Sequence, residues 1–436
     1  MDSASGWRSL GSYAPENLWA IIPVGGVARR LMPLTAEVSK ACVRLANRPI
    51  LEISLLCLAR QGIRNFILGV KGYTNYKSLH DYFKEGIGFS ARYGLSPRIH
   101  IKYQPNIEDL GSADSLRINL EYYDVTGPIL VIQGDNIFDL DLTAFIDFHR
   151  RKGGLMSIGL KPIQAISDYG IAQVDENMRI HRFVEKPRMT EAPSNLANTG
   201  IYLFKPEIRE ILREEGVRRL MSRLGRLDFG QDLIPYLIET GREVYGYVLS
   251  ESWYDVGTPE RYLDAMYDIL QGCLGCLKDF GGRVSEEARI WVQGDSPESI
   301  RRRERILDMM KKGSITLEGS VLIGRHCQID EGASIKNSCI DNFTKIGSKA
   351  RIEASAIMDR VTIGEGSEIH RSIVGRHVTI ASEASKATII EDLSVIGDDV
   401  KIEAGCHLSA TKVFPHLRLP SGVYEHQTIQ RALGFP

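Results

Sequence analysis

From residue 18 to about 270, short apolar runs alternate with amphipathic stretches. Leu18 to Ile22 is an apolar run that reads as a buried strand. Ile50 to Gln61 reads as a helix, and Phe66 to Val70, Ile99 to Tyr103 and Pro128 to Asp135 read as strands. The last of these ends on a carboxylate, Asp135. Strands alternating with helices predict an α/β domain: a mostly parallel sheet with helices on both faces. Such sheets bind ligands beyond the carboxyl ends of their strands. Gly25-Gly26 and Asp135 both fall at such ends, so one site is expected to use both.

The pattern then changes twice. A helix is expected from Asp255 to about Leu277, with Thr258 as cap and Pro259 in the first turn. Ala288 to Val292 reads as a strand, and Ser296-Pro297 opens a second helix that Gly313 stops. Its arginines, Arg301 to Arg303 and Arg305, read as a solvated face. After Ser314 a repeat takes over: Ile323-Gly324 with Ile329, Ile346-Gly347 with Ile352, Ile363-Gly364 with Ile369, Val374-Gly375 with Ile380, and Ile396-Gly397 with Ile402. An aliphatic residue recurring every six positions is the signature of a parallel β-helix, here with rungs of about 18 residues. The expected layout is an extension at 1–17, an α/β domain at 18–270, a helical linker at 271–313, a β-helix at 314–425 and a tail at 426–436.

Composition narrows the function. The chain has 436 residues, 43% hydrophobic and 25% charged, with a formal net charge of -1 and no polybasic block. Nucleic acid is therefore not expected as the main partner. No apolar stretch approaches the ~20 residues of a membrane span, and the polar first residues lack a signal-peptide core. Seven cysteines read as free thiols in a reducing cytoplasm. Cys273 and Cys276 form a lone Cys-x-x-Cys in an expected helix, read as ordinary packing.

The chemistry concentrates in a few loops. After Ile22 comes Pro23-Val24-Gly25-Gly26-Val27-Ala28-Arg29-Arg30-Leu31-Met32-Pro33-Leu34-Thr35, with Lys40 ten residues past Arg30. Small residues let backbone N–H groups approach a phosphate, and Arg and Lys supply countercharge. Gln104 to Ser115 follows a strand and enters a helix. A Gln amide both donates and accepts, which suits a nucleobase edge, and Gly111-Ser112 leaves room for a flat ring. A plain helix entry capped by Ser112 or Asp109 explains the same residues. Asp135 suits Mg²⁺ or a turn, and Asp255 stands at a second such place. Glu185 and Asn198 suit sugar hydroxyls, and Lys186 a phosphate oxygen. Asp168-Tyr169-Gly170 opens an expected hairpin.

Taken together, these motifs resemble the sugar-1-phosphate nucleotidyltransferases. The opening stretch, Ser39-Lys40-Ala41, Asn47-Arg48-Pro49, Gly134-Asp135-Asn136, Val184-Glu185-Lys186-Pro187, Asn198-Thr199-Gly200-Ile201-Tyr202 and Trp253-Tyr254-Asp255-Val256-Gly257-Thr258-Pro259 stand in the family's order. The resemblance implies a Rossmann-like sheet followed by a left-handed β-helix, and transfer of a nucleotidyl group from an NTP to a hexose 1-phosphate. It implies that Arg30 and Lys40 contact the phosphates and that Asp135 and Asp255 hold Mg²⁺. Gly25 and Gly26 would line the phosphate loop, Gln104 and Gly111 would face the base with Ser112 also binding substrate, Gly170, Glu185 and Asn198 would take the sugar, and Lys186 would reach its phosphate. A homo-oligomer built partly through the β-helix is expected.

Two departures from the signature keep a second reading open. Ala28 replaces a glycine and Arg29 a threonine, as in a catalytically weak regulatory subunit that binds nucleotide sugar. A bifunctional acyltransferase is a third reading, because His326, His370, His377 and His407 lie in or beside the repeats. Base and sugar stay open: the position of Gln104 is similar to thymidylyl and uridylyl members, whereas the β-helix and Val413-Phe414-Pro415-His416 resemble mannose-1-phosphate guanylyltransferases.

Overall fold

The computed structural model describes residues 13–26, 28–284 and 289–431. Most of the expected N-terminal extension, Val27 of the opening stretch, Ala288 and the last five residues of the tail lie outside the described residues. The chain forms two compact units: Met1–Gly26 with Leu51–Trp253, and Val27–Ile50 with Tyr254–Pro436.

The first unit is built on a nine-stranded sheet. Its strands are β1 (Trp19–Val24), β2 (Asn65–Val70), β3 (His100–Tyr103), β4 (Ile129–Ile132), β5 (Met156–Pro162), β6 (Gly170–Val174), β7 (Ile180–Glu185), β8 (Leu196–Phe204) and β9 (Val244–Val248). The order runs β7-β6-β8-β4-β1-β2-β3, with β5 also on β8 and β9 on β5. The β3-β2-β1-β4 side is parallel, with Ile21 between Ile67 and Val131. β8 runs antiparallel to β4, β5 and β6, so the sheet is mixed. β6 and β7 make the expected hairpin. β1, β2 and β4 are almost continuously apolar and buried, as central parallel strands are.

The second unit contains the β-helix, three parallel sheets of eight, seven and six strands. Ile323, Ile340, Ile357 and Val374 stack on one face, Ile329, Ile346, Ile363 and Ile380 on the second, Ile335, Ile352 and Ile369 on the third. Neighbours in these columns are 17 residues apart, not 18, because the corner into the first face is one residue short. Ser338, Ser355 and Ser372 occupy that corner, fully buried. Each hydroxyl donates to the carbonyl two residues back at 2.7 Å. Those of Ser338 and Ser355 also accept the next coil's serine N–H at 3.1 Å, so the buried polar atoms are satisfied. One coil is longer: Val374 pairs with Ile396.

The linker supplies the first strand of the stack, Ile290–Val292, parallel to Val321–Ile323. Pro259–Leu270 is a helix capped by Thr258, whose hydroxyl accepts from Arg261 N. It ends seven residues before the expected Leu277, so Cys273 and Cys276 lie in the turns beyond it. Pro297–Lys311 is capped by Ser296, whose hydroxyl accepts from Ser299 N. Its arginines are not merely solvated. Arg303 donates to the carbonyls of Val292 and Gly294, tying the helix to the strand, and Arg302 pairs with Glu298 one turn back on the same helix. Cys42, Cys273, Cys327, Cys339 and Cys406 are free thiols. Cys57 and Cys276 are disulfide-bonded, against the expectation of seven free thiols. Such bonding depends on the approach of β-carbons in the fold, which spacing along the chain does not encode.

Candidate active site

In the first unit, the ends of β1 and β4 meet as expected. The N–H of Gly134 donates to the carbonyl of Pro23, so the Gly25-Gly26 turn and half-buried Asp135 share the carboxyl edge of the sheet. Gly25 and Gly26 are exposed, and a β-carbon on Gly26 would meet nothing within 4 Å. Lys71, at the end of β2, was not foreseen. Its N–H donates to the carbonyl of Val24, and its ammonium donates to the Asp109 carbonyl at 2.7 Å.

Gln104 is buried, and its amide is fully engaged inside the protein. Its oxygen accepts from Ser115 Oγ at 2.6 Å and Asn119 Nδ2 at 2.9 Å. Its nitrogen donates to Asp109 Oδ2 at 3.0 Å and the Ile107 carbonyl at 3.2 Å. These four bonds use the full capacity of the amide, so here Gln104 holds the loop in shape. Gly111 enters the helix Ser112–Tyr122 at φ 142°, where a β-carbon would lie 2.7 Å from the Leu227 carbonyl. The helix cap comes from neither Ser112 nor Asp109. Oδ1 of Asp228, remote in sequence, accepts from both Ser112 N (3.0 Å) and Ser112 Oγ (3.1 Å).

Glu185, Asn198 and Gly170 do come together. β-carbons on Gly170 and Gly230 would lie 2.6 and 2.3 Å from Oε2 of Glu185, so two bare backbones flank this carboxylate. Asn198 Nδ2 donates to the hydroxyl of buried Tyr202 at 2.9 Å, and Glu185 acts electrostatically on that same hydroxyl. Burial raises the pKa of Glu185, Lys186 opposes the rise, and Asp228 adds to it. The Lys186 ammonium is more than half exposed, 3.9 Å from Oε1 of Glu185.

In the second unit, Ala28 takes φ 40°, ψ 45°, the left-handed conformation a glycine would adopt freely. Its carbonyl accepts from Thr35 Oγ1 at 3.0 Å and Leu31 N at 3.1 Å, which hold the turn. Arg29 and Arg30 follow, both exposed. The carboxylate of Asp255 stands between two cations, Lys40 Nζ at 3.6 Å and Arg261 Nη1 at 3.1 Å. A β-carbon on Gly257 would lie 3.1 Å from Arg30 Nη2 and from both oxygens of Asp255, so this glycine keeps their approach open. Arg261 was missed by sequence reasoning. Its signal was its place, on the third residue of a capped helix that follows a carboxylate.

Among the described residues no group of three or more His, Cys, Asp or Glu is placed to hold a metal, and no helix is long and apolar enough to cross a membrane. Mg²⁺ takes one or two carboxylates plus substrate phosphates, so Asp135 in the first unit and Asp255 in the second are each the donor type it uses.

The nucleotidyl transferase family model matches residues 19–272, and the GMPPB C-terminal domain matches 317–429. The chain is 28% identical over 365 residues to a UTP--glucose-1-phosphate uridylyltransferase of Synechocystis, covering 79% of this chain and 88% of that one. It is 27% identical over 412 residues to the catalytic subunit beta of a mannose-1-phosphate guanylyltransferase of Danio rerio, covering 94% and 99%. It is 27% identical over 409 residues to a glucose-1-phosphate adenylyltransferase of Desulfitobacterium hafniense, covering 89% and 96%. With more than half its length matched by the first model, the chain belongs to the nucleotidyl transferase family.

Proposed function

We propose that the protein joins an NTP to a hexose 1-phosphate, releasing pyrophosphate and a nucleotide sugar. An oxygen of the sugar phosphate attacks the α-phosphorus in line and the β,γ-pyrophosphate leaves. The nucleophile is already an anion, so no protein base or covalent intermediate is needed, and catalysis reduces to positioning and charge neutralisation. Arg30 stabilises the leaving pyrophosphate and Lys40 the phosphates of the reacting pair. The Gly25-Gly26 turn lets the backbone approach the triphosphate. Glu185, Asn198 and Gly170 hold the sugar, and Lys186 reaches its phosphate. Asp135 and Asp255 are the residues that would hold Mg²⁺, which when bound neutralises phosphate charge.

The observation that carries this reading is the Asp255 carboxylate held between Lys40 and Arg261, with Arg30 beside Gly257. A carboxylate amid three cations is a charge-balanced cradle for a polyanion with its metal. Gln104, with its amide saturated, serves to shape the base loop through Asp109 and Ser115, and Gly111 and Ser112 carry that shape to Asp228. The regulatory-subunit reading loses its argument from Ala28, which adopts the turn a glycine would. The acyltransferase reading loses its argument from two histidines, because His407 pairs with Glu391 at 2.6 Å and His326 stacks on Phe343. The same proposal assigns 18–270 to transfer and 314–425 to the β-helix, on which copies associate. Five thiols are free, three of them buried in the β-helix, but Cys57 and Cys276 are disulfide-bonded, so the cysteines do not argue for a reducing compartment. The test is pyrophosphate release over a panel of NTPs and hexose 1-phosphates with Mg²⁺: turnover with at least one pair is expected, and no turnover with any pair overturns the reading.

A further inference from the structure

Residues 37 to 47, which include Lys40, lie along successive coils of the β-helix within the second unit. Arg44–Leu45 and Arg48–Pro49 form a tight hairpin, and both residues of its turn, Ala46 and Asn47, have positive φ. The Asn47 amide docks on one coil. Its nitrogen donates to the Ile340 carbonyl and to Gln293 Oε1, both at 3.1 Å, and its oxygen accepts from Cys339 Sγ at 2.9 Å. Arg44 forks onto the next side chain of that coil, with Nε on Asp341 Oδ2 and Nη2 on Asp341 Oδ1. The Asp341 side chain is 2% exposed, and its Oδ1 also accepts from Asn342 N at 2.7 Å. Two coils further on, Arg376 faces Cys42: burial raises that thiol to about 12 and the Arg376 charge opposes the rise. Two coils beyond that, His416 meets Glu37 at 2.8 Å.

Arg44 is gripped from a second side. The hydroxyl of Tyr262 donates to the Arg44 carbonyl, and Tyr262 belongs to the capped helix that begins just after Asp255. The side chain of Arg44 is thus fixed to the β-helix, while its carbonyl is fixed to the helix following the carboxylate that pairs with Lys40. Burying an ion pair costs desolvation that a simple fastening of two surfaces would avoid, and an apolar contact would serve stability as well. What a bidentate fork adds is geometry. Lys40 lies in a single helical turn, Lys40–Cys42, which closes with Val43 N on the Lys40 carbonyl, directly before Arg44.

We propose that Asp341, on the β-helix, is a positioning residue for nucleotidyl transfer: through Arg44 it sets the place of the Lys40 ammonium. The β-helix is then part of the catalytic apparatus and not only an assembly device. The proposal rests on the functional reading above only through the role of Lys40.

The experiment compares Asp341→Asn with Glu353→Gln in the full-length protein. Glu353→Gln breaks an exposed ion pair, Glu353 with Lys336, on another face of the β-helix, so it reports what loss of a β-helix carboxylate does away from the Arg44 hairpin. Two readouts are taken: hydrogen exchange of the backbone amides of residues 38–45, and kcat and KM separately. Asp341→Asn is expected to speed exchange in 38–45 and to lower kcat by about 10- to 100-fold, the size of effect a misplacement of ~1 Å produces, with KM changing less. Glu353→Gln is expected to leave both unchanged, and Asp341→Glu to restore part of kcat. If Asp341→Asn does not fold, Asn47→Ala, which loosens the same hairpin without unpairing a buried charge, is expected to show the same pattern at smaller size. Unchanged exchange and unchanged kcat in the folded variant overturn the proposal. If the wild type turns over no substrate pair, the functional reading fails, and the exchange arm alone still decides whether Asp341 positions this segment.

Discussion

The ammonium of Lys40 lies 3.6 Å from Oδ1 of Asp255, and the guanidinium of Arg261 holds the other oxygen at 3.1 Å. Both Lys40 and Asp255 are largely buried, so the charge is poorly screened and its removal is felt. Lys40→Met is expected to lower kcat by about 100- to 1,000-fold, as loss of one preorganised charge at a reacting centre does. Arg30→Ala is expected to abolish turnover. Steady-state kinetics of the two variants check this, and near-full activity of Arg30→Ala would mean that the opening loop is misread.

Ala28 holds a left-handed conformation that costs a non-glycine residue roughly 1 kcal/mol. Ala28→Gly relieves that strain while adding freedom to the unfolded chain. Urea unfolding is expected to show equal or slightly greater stability, with turnover intact or raised. A clear loss of turnover would show that the methyl group itself contributes.

Gly111 is fixed by crowding as well as by its φ. A β-carbon there would lie 2.7 Å from the Leu227 carbonyl and 2.8 Å from Asp228 Oδ1. Gly111→Ala is expected to destabilise by about 1–3 kcal/mol. Asp228→Ala, which frees Ser112 N and Oγ, is expected to cost about 1–2 kcal/mol. Denaturant midpoints measure both, and an unchanged midpoint in either would contradict the bonding described.

Glu185 pays for its pocket. Burial raises its pKa, so the folded state binds its proton more readily than the unfolded state does. This group therefore favours folding at acidic pH, and that contribution is lost as pH rises through its raised folded pKa. Glu185→Gln removes the buried charge. It is expected to raise the melting temperature at neutral pH while raising KM for the sugar phosphate, and a lowered melting temperature would contradict the account.

His416 is shifted in the same direction by a partner instead of by burial. Its hydrogen bond to Glu37, with the charges of Glu37, Asp399 and Asp398, raises its pKa above the ordinary value. The contact is present in full below the unfolded pKa and is lost as pH rises through the folded one. Amide exchange near Glu37 is expected to quicken over that window, and His416→Gln is expected to remove the pH dependence.

Much of this architecture is legible in the chain. The apolar runs mark the central strands because a strand buried on both faces must be apolar throughout. The caps at Thr258 and Ser296 are legible because a hydroxyl three residues before an orphan N–H is a local signal. The six-residue period announces the β-helix, but the short corner does not show, because the serines that fill it look polar and therefore exposed. The partners of Asp228, Arg261 and Asp341 were invisible for one reason. Each acts on a partner set by the fold: Asp228 on Ser112, Arg261 on Asp255, Asp341 on Arg44. Gln104 was legible as important, but its partners inside the protein were not, since an amide that suits a base edge also suits a buried network.

The most direct test of the central claim follows the atoms. The protein is incubated with an NTP labelled at the α-phosphorus, a hexose 1-phosphate and Mg²⁺, and the products are separated. The account predicts the label in a nucleotide sugar, unlabelled pyrophosphate in equal amount, and neither product with Arg30→Ala. Label that stays in the NTP with every sugar phosphate, or that appears only as free nucleoside monophosphate, would contradict it.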